Sequence, residues 1–126
     1  MNTVLSPERA FSGFSVDDIA AAREFYAGTL DIDVSEEGGL LWLNLSADRR
    51  VLVYPKADHT PAPFTILNFP VDDIEVAVDE LVARRIRFER YDGMDFDDRG
   101  IMRSGGPLIA WFADPAGNVL SILEDG

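Results

Sequence analysis

Phe14-Ser15-Val16-Asp17-Asp18-Ile19-Ala20-Ala21-Ala22 returns 55 residues later as Phe69-Pro70-Val71-Asp72-Asp73-Ile74-Glu75-Val76-Ala77. Each copy reads as the end of a strand running into a helix. A carboxylate at that junction accepts an orphan backbone N–H and suits the positive end of the helix dipole. Asp17 and Asp72 are the expected N-caps, with Glu75 three residues beyond Asp72 completing a capping-box pattern.

The helical period continues through Ile19, Ala22, Phe25 and Tyr26 in the first copy, with Gly28 as the expected stop and Leu30 packing just beyond. In the second copy it runs through Ile74, Ala77, Val78, Leu81 and Val82. Strand-like runs surround both helices. They fall at 10–16, 32–36, 40–45 and 50–54 in the first half, and at 64–71, 87–90, 108–113 and 119–123 in the second. Pro61 and Pro63 mark residues 57–63 as a linker. The order is therefore strand, helix, three strands, written twice, in modules of about 10–56 and 64–125 within one domain of 126 residues. Units of this size are too small for a robust core of their own, so they are expected to pack together.

Composition narrows the function. With 47% hydrophobic residues the chain has enough for a folded core. A net charge of −12 disfavours phosphate backbones, so nucleic acid is not an expected partner, whereas cationic ligands would be drawn towards the surface. No apolar run approaches the roughly 20 residues that span a bilayer, so no membrane partner is expected. The N-terminus lacks the features of an export signal, which points to the cytoplasm. With no cysteine there is no disulfide, thiolate metal site or cysteine nucleophile.

The repeated Val-Asp-Asp-Ile at residues 16–19 and 71–74, Phe25-Tyr26, and Trp111-Phe112-Ala113-Asp114-Pro115-Ala116-Gly117-Asn118 resemble the vicinal oxygen chelate superfamily. That family includes glyoxalase I, extradiol dioxygenases, fosfomycin-resistance enzymes and bleomycin-binding proteins. The resemblance spans residues 10–124 and implies an α+β fold, two βαβββ modules forming a shared curved sheet with a central cavity. It also implies a homodimer. The last motif makes local sense as a hairpin: Pro115 and Gly117 suit its turn, Asp114 closes against Asn118, and Trp111 and Ile109 face Ser121 and Leu123.

Catalytic members hold a divalent metal on four side chains, one from the first and one from the last strand of each module. The resemblance puts these positions at Phe11, Val53, Ile66 and Ser121. Three have no donor atom and the fourth only a neutral hydroxyl, so no metal and no other cofactor is expected. The one histidine, His59, falls in the linker and reads as a solvent-exposed loop residue. No catalytic residue is assigned.

If those positions face the cavity, strand alternation brings their neighbours with them. The expected lining is Phe11, Gly13, Ser15, Val51 and Val53 from the first half, and Ile66, Asn68, Trp111, Val119 and Ser121 from the second. The opposite parity, with Phe14, Val16, Leu52, Leu67, Phe69, Leu120 and Ile122, is assigned to the core beneath the helices. Residues 91–106 form a long loop whose Met94, Phe96 and Met102 are placed to close over a ligand. Arg103 suits either an anionic ligand group or the loop's own aspartates. The expected function is a protein that sequesters or senses a hydrophobic or cationic small organic molecule. The alternatives are an enzyme, metal-free or using Asp92, Asp95, Asp97 and Asp98 as unconventional ligands, and a ligand-free interaction module plugged by Phe11, Trp111 and Phe96.

Overall fold

A computed structural model of the chain describes residues 4–124; the last residue of the second module as drawn from sequence, 125, lies outside the described residues. The chain divides between His59 and Thr60 into two compact units, inside the expected linker. Each unit holds one four-stranded mixed sheet, which makes the fold α+β.

In the first unit β1 (Ser12–Val16) runs parallel to β4 (Arg49–Pro55), which pairs antiparallel with β3 (Leu40–Ser46), and that in turn with β2 (Asp33–Glu37). In the second unit β5 (Thr65–Pro70), β8 (Val119–Glu124), β7 (Leu108–Ala113) and the short β6 (Phe88–Glu89) repeat this order. Helix α1 (Ile19–Arg23) follows β1 and α2 (Ile74–Ala83) follows β5. Among the described residues no helix is long and apolar enough to cross a membrane.

Both helices start one residue later than the sequence suggests. Asp18 and Asp73 are the N-caps, in extended conformation, and their carboxylates accept from Ala21 N–H at 3.1 Å and Val76 N–H at 3.2 Å. Asp17 and Asp72 precede the caps, and Glu75 is not the third helical residue that a capping box requires. Adjacent aspartates satisfy the same composition rule; the backbone geometry selects the second of each pair. Gly28 does not stop the first helix either. The chain widens into a π-helical turn over Glu24–Thr29, closed by Leu30 N–H on Phe25 O at 2.9 Å.

Each helix covers one face of its own sheet. Phe14 meets Tyr26 at 5.8 Å between ring centres, so the Phe14 face of the first sheet is the helix face. Its paired residues Val53 and Leu41 are wholly buried with Val16 and Leu43. In the second unit Glu124 accepts from Ile74 N–H at 2.9 Å, and Glu124 alternates in phase with Ile122 and Leu120. Those two residues, with Ala110, Phe112, Ile74 and Val78, form the buried core there.

This register corrects one strand of the sequence reading. Val51 and Val53 lie on the helix face, while Leu52 is paired with Gly13 and Trp42 on the other. Val53 is therefore core and does not belong to a ligand-facing surface.

Helix α2 ends in a Schellman motif: Ile86 N–H bonds Leu81 O at 3.0 Å and Arg85 N–H bonds Val82 O at 2.9 Å. The left-handed position is Arg85, at φ 71°. A side chain there costs about 1–2 kcal/mol, a strain glycine avoids. Arg85→Gly is expected to stabilise the protein by about 1 kcal/mol in urea unfolding, and Arg85→Val to destabilise it.

Candidate functional site

On the face of the second sheet away from α2, Asn68, Ser121 and Trp111 stand side by side across β5, β8 and β7. The hairpin after β7 fixes this row. Asp114 N–H bonds Asn118 O at 2.9 Å, while the Asp114 carboxylate accepts from Ala116 N–H, Asn118 N–H and the Asn118 amide. Both Asp114 and Asn118 are buried, and Gly117 takes the left-handed turn position at φ 88°. The predicted pairs Trp111–Ser121 and Ile109–Leu123 follow.

Two aromatic residues of the loop that precedes β7 gather on Trp111. Phe96 approaches at 6.2 Å with its ring at 82°, and Tyr91 at 5.8 Å and 70°. Tyr91 and Phe96 meet each other at 6.4 Å. Trp111 and Phe96 remain partly exposed, and Tyr91 is exposed. Burial pushes the Tyr91 phenol up from its ordinary range, and the Glu89 carboxylate adds to this, so the phenol stays protonated at neutral pH. Met102 joins the same face: it pairs with Ile109 through Met102 N–H on Ile109 O at 2.8 Å, on the edge of β7 that β6 leaves free.

The polar members of the row are bonded to one another. Ser121 Oγ lies 2.5 Å from Asn68 Oδ1, and Trp111 Nε1 donates to Thr65 Oγ1 at 3.0 Å. Ser121 is fully buried, whereas Asn68 is exposed. Ile66 does not take the place that simple alternation gives it. A bulge between Thr65 and Leu67 makes Ile66 the extra residue, and Thr65 is the one paired with Val119.

Arg103 serves the loop itself. It donates to Asp97 at 2.8 Å and to Glu75 of α2 at 2.6 Å, while Arg99 forks onto Asp79 of α2 at 2.9 and 3.2 Å. Of the two roles expected for Arg103, pairing with the loop's own aspartates is the one present, and the Glu75 contact extends it to tie the loop to the helix. Met94 is 43% exposed. Asp97 organises the turn by accepting from the backbone N–H groups of Arg99 and Ile101, each at 2.9 Å.

The first sheet offers a different surface. Phe11, which precedes β1, is exposed and meets Trp42 at 4.9 Å and 72°, and the Arg50 guanidinium sits 3.8 Å over the Trp42 ring. Trp42 and Arg50 are therefore engaged with each other. On β1, Ser15 Oγ lies 2.6 Å from His59 Nδ1. His59 is half-buried, so it is not the free surface residue that its linker position suggested.

The sequence reading missed Thr65, Tyr91 and Trp42. Gly13 pairs with Leu52 as Asn68 pairs with Ser121, and 13 and 68 are related by the repeat offset of 55. Leu52, not Val53, is thus the partner of Ser121 in the repeat, and it also lacks a donor atom. Phe11, Leu52, Ile66 and Ser121 do not fit a divalent metal, and among the described residues no three His, Cys, Asp or Glu side chains cluster to hold one.

A family profile described as the Glyoxalase/Bleomycin resistance protein/Dioxygenase superfamily matches residues 10–122. A search of the curated proteins finds no match. Among solved structures, a glyoxalase family protein from Enterococcus faecalis is similar at 21% identity and TM-score 0.68, covering 90% of this chain and 94% of that one. TnmS3, an antibiotic binding protein from Streptomyces sp. CB03234, is similar at 21% identity and TM-score 0.67, covering 99% and 100%. The fosfomycin resistance protein FosX from Mesorhizobium loti is similar at 13% identity and TM-score 0.63, covering 100% and 95%. Identities this low establish the shared fold.

Partial burial disfavours the Asp97 carboxylate, but the Ile101 N–H, the Arg103 guanidinium and the Arg99 N–H outweigh it and hold the carboxyl below its usual range. A depressed folded-state pKa adds stability above the unfolded value, lost as pH falls through the folded one. Amide exchange in residues 95–103, corrected for intrinsic rates, is therefore expected to accelerate several-fold below about pH 4. Asp97→Asn should show the faster exchange already at pH 7 and flatten this pH dependence.

Proposed function

This chain belongs to the glyoxalase/bleomycin resistance protein/dioxygenase superfamily, and we propose that it serves there as a metal-independent binding protein for a small, hydrophobic organic molecule. The observation that carries this reading is the cluster of Trp111, Tyr91 and Phe96 on the sheet face away from α2, beside the polar row of Asn68, Ser121 and Thr65. Large rings next to a few fixed polar groups are the usual make-up of a small-molecule site. The donor chemistry argues in the same direction, because the family's ligand positions carry apolar side chains and one hydroxyl. That one neighbour is described as antibiotic-binding and another as a fosfomycin resistance protein fits a scaffold reused for recognition of small molecules.

The ligand-free alternative has a specific observation behind it, since Phe96 and Tyr91 already contact Trp111. Partial exposure of Trp111 and the attachment of both rings to a loop favour binding instead.

Trp42→Phe leaves Trp111 as the sole tryptophan and keeps an aromatic ring at position 42. Titrating that variant with 2-naphthol is expected to quench Trp111 emission saturably. In calorimetry, Trp111→Ala should weaken 2-naphthol binding about fivefold or more, as loss of one stacked ring of roughly 1–3 kcal/mol requires. A linear, unsaturable response with no effect of Trp111→Ala would favour the self-filled module.

A further inference from the structure

The hydrogen bonds inside the polar row have a fixed sense, and that sense specifies what the surface has left to offer. Asn68 Oδ1 carries no hydrogen, so the Ser121 hydroxyl is the donor in their 2.5 Å contact. The indole N–H can only donate, so Thr65 Oγ1 is the acceptor in theirs at 3.0 Å. Ser121 is wholly buried, and its one hydroxyl hydrogen is committed to Asn68. The amide of Asn68 is thereby anchored through its oxygen to a buried group, and its nitrogen, with two N–H groups, is the end left to meet a ligand. Thr65 likewise keeps its hydroxyl hydrogen. Donors therefore dominate the unused polar capacity beside Trp111.

We infer that the molecule held on this face is a neutral planar aromatic bearing a hydrogen-bond-accepting oxygen, of the aryl ketone class, with its ring against Trp111 and its oxygen on the Asn68 amide. This rests on the reading of the Trp111 face as a ligand site. A carbonyl oxygen brings lone pairs and no hydrogen, which complements an outward amide nitrogen. An ammonium brings only donors; it would meet the Asn68 N–H groups and compete for an oxygen already engaged by Ser121. A carboxylate has the right lone pairs but is opposed by the net charge of −12. Burying the ligand's ring beside an acceptor-free rim would leave the Asn68 N–H groups without a partner, and that cost is what discriminates.

Three probes sharing one naphthalene body test the inference by calorimetry: 2-acetylnaphthalene, 2-isopropenylnaphthalene, in which C=CH2 replaces C=O, and (2-naphthylmethyl)ammonium. The ketone is expected to bind about tenfold more tightly than the alkene and the ammonium compound. Asn68→Asp keeps an oxygen for Ser121 and replaces the outward nitrogen by an acceptor. It should abolish the ketone's advantage over the alkene. Ketone and alkene binding within twofold of each other in the unaltered protein would overturn the acceptor inference and leave the aromatic-site reading standing. The same inference is overturned if the ammonium compound binds most tightly. No binding by any of the three would overturn the site reading itself.

Discussion

The turn that Asp114 closes sets the geometry of everything on the second sheet. Its carboxylate takes three donors from the tip of the hairpin, Ala116 N–H, Asn118 N–H and the Asn118 amide. Asp114 and Asn118 are both buried, so these are strong, well-shielded bonds whose loss would strand polar groups. They pin β7 to β8 in one register. Side chains alternate along a strand, so a slip of one residue would turn Trp111 towards the helix and Phe112 towards the open face. The row of Asn68, Ser121 and Trp111 exists because that slip is prevented.

The loop from Tyr91 to Met102 is held by two different kinds of contact. Arg99 and Arg103 bridge to Asp79, Glu75 and Asp97, but these side chains are substantially exposed, and such pairs contribute little individually. The firmer anchors are Ile101, fully buried, the Met102–Ile109 bridge, and the backbone N–H groups gathered by Asp97. Between Arg90 and Asp97 the loop carries Tyr91 and Phe96 onto Trp111 with no strand pairing. A segment pinned at one end and loosely held along its length can yield to a ligand without unfolding the sheet.

The module order, both helix starts to within a residue and the whole β7–β8 pairing were legible in the sequence, because the repeat and the Asp-Pro-Ala-Gly-Asn turn at 114–118 have local chemistry. Errors arose where alternation carried no information. Val51, Leu52, Val53 and Tyr54 are all apolar, so the run itself does not say which face is buried, and a register shift between Asn44 and Ser46 moves the first hairpin off its counterpart. The bulge at Ile66 has no composition signal either. On the site, Asn68, Ser121, Trp111, Phe96 and Met102 came from pattern and do share a face. Thr65 and Tyr91 did not, since Thr65 depends on the bulge and Tyr91 on the path of the loop. Arg103 meets Glu75 across 28 residues, a pairing that strand alternation cannot display.

Recognition by stacking and a short polar row replaces metal chelation in this account, and metal content is the direct test. The measurement is elemental analysis of protein purified without chelator, paired with thermal unfolding in Mn2+, Fe2+, Ni2+ and Zn2+. The account predicts far less than one metal ion per chain and no specific rise in unfolding midpoint with any of the four. One tightly held ion per chain, or a large stabilisation by a single ion that a chelator reverses, would contradict it.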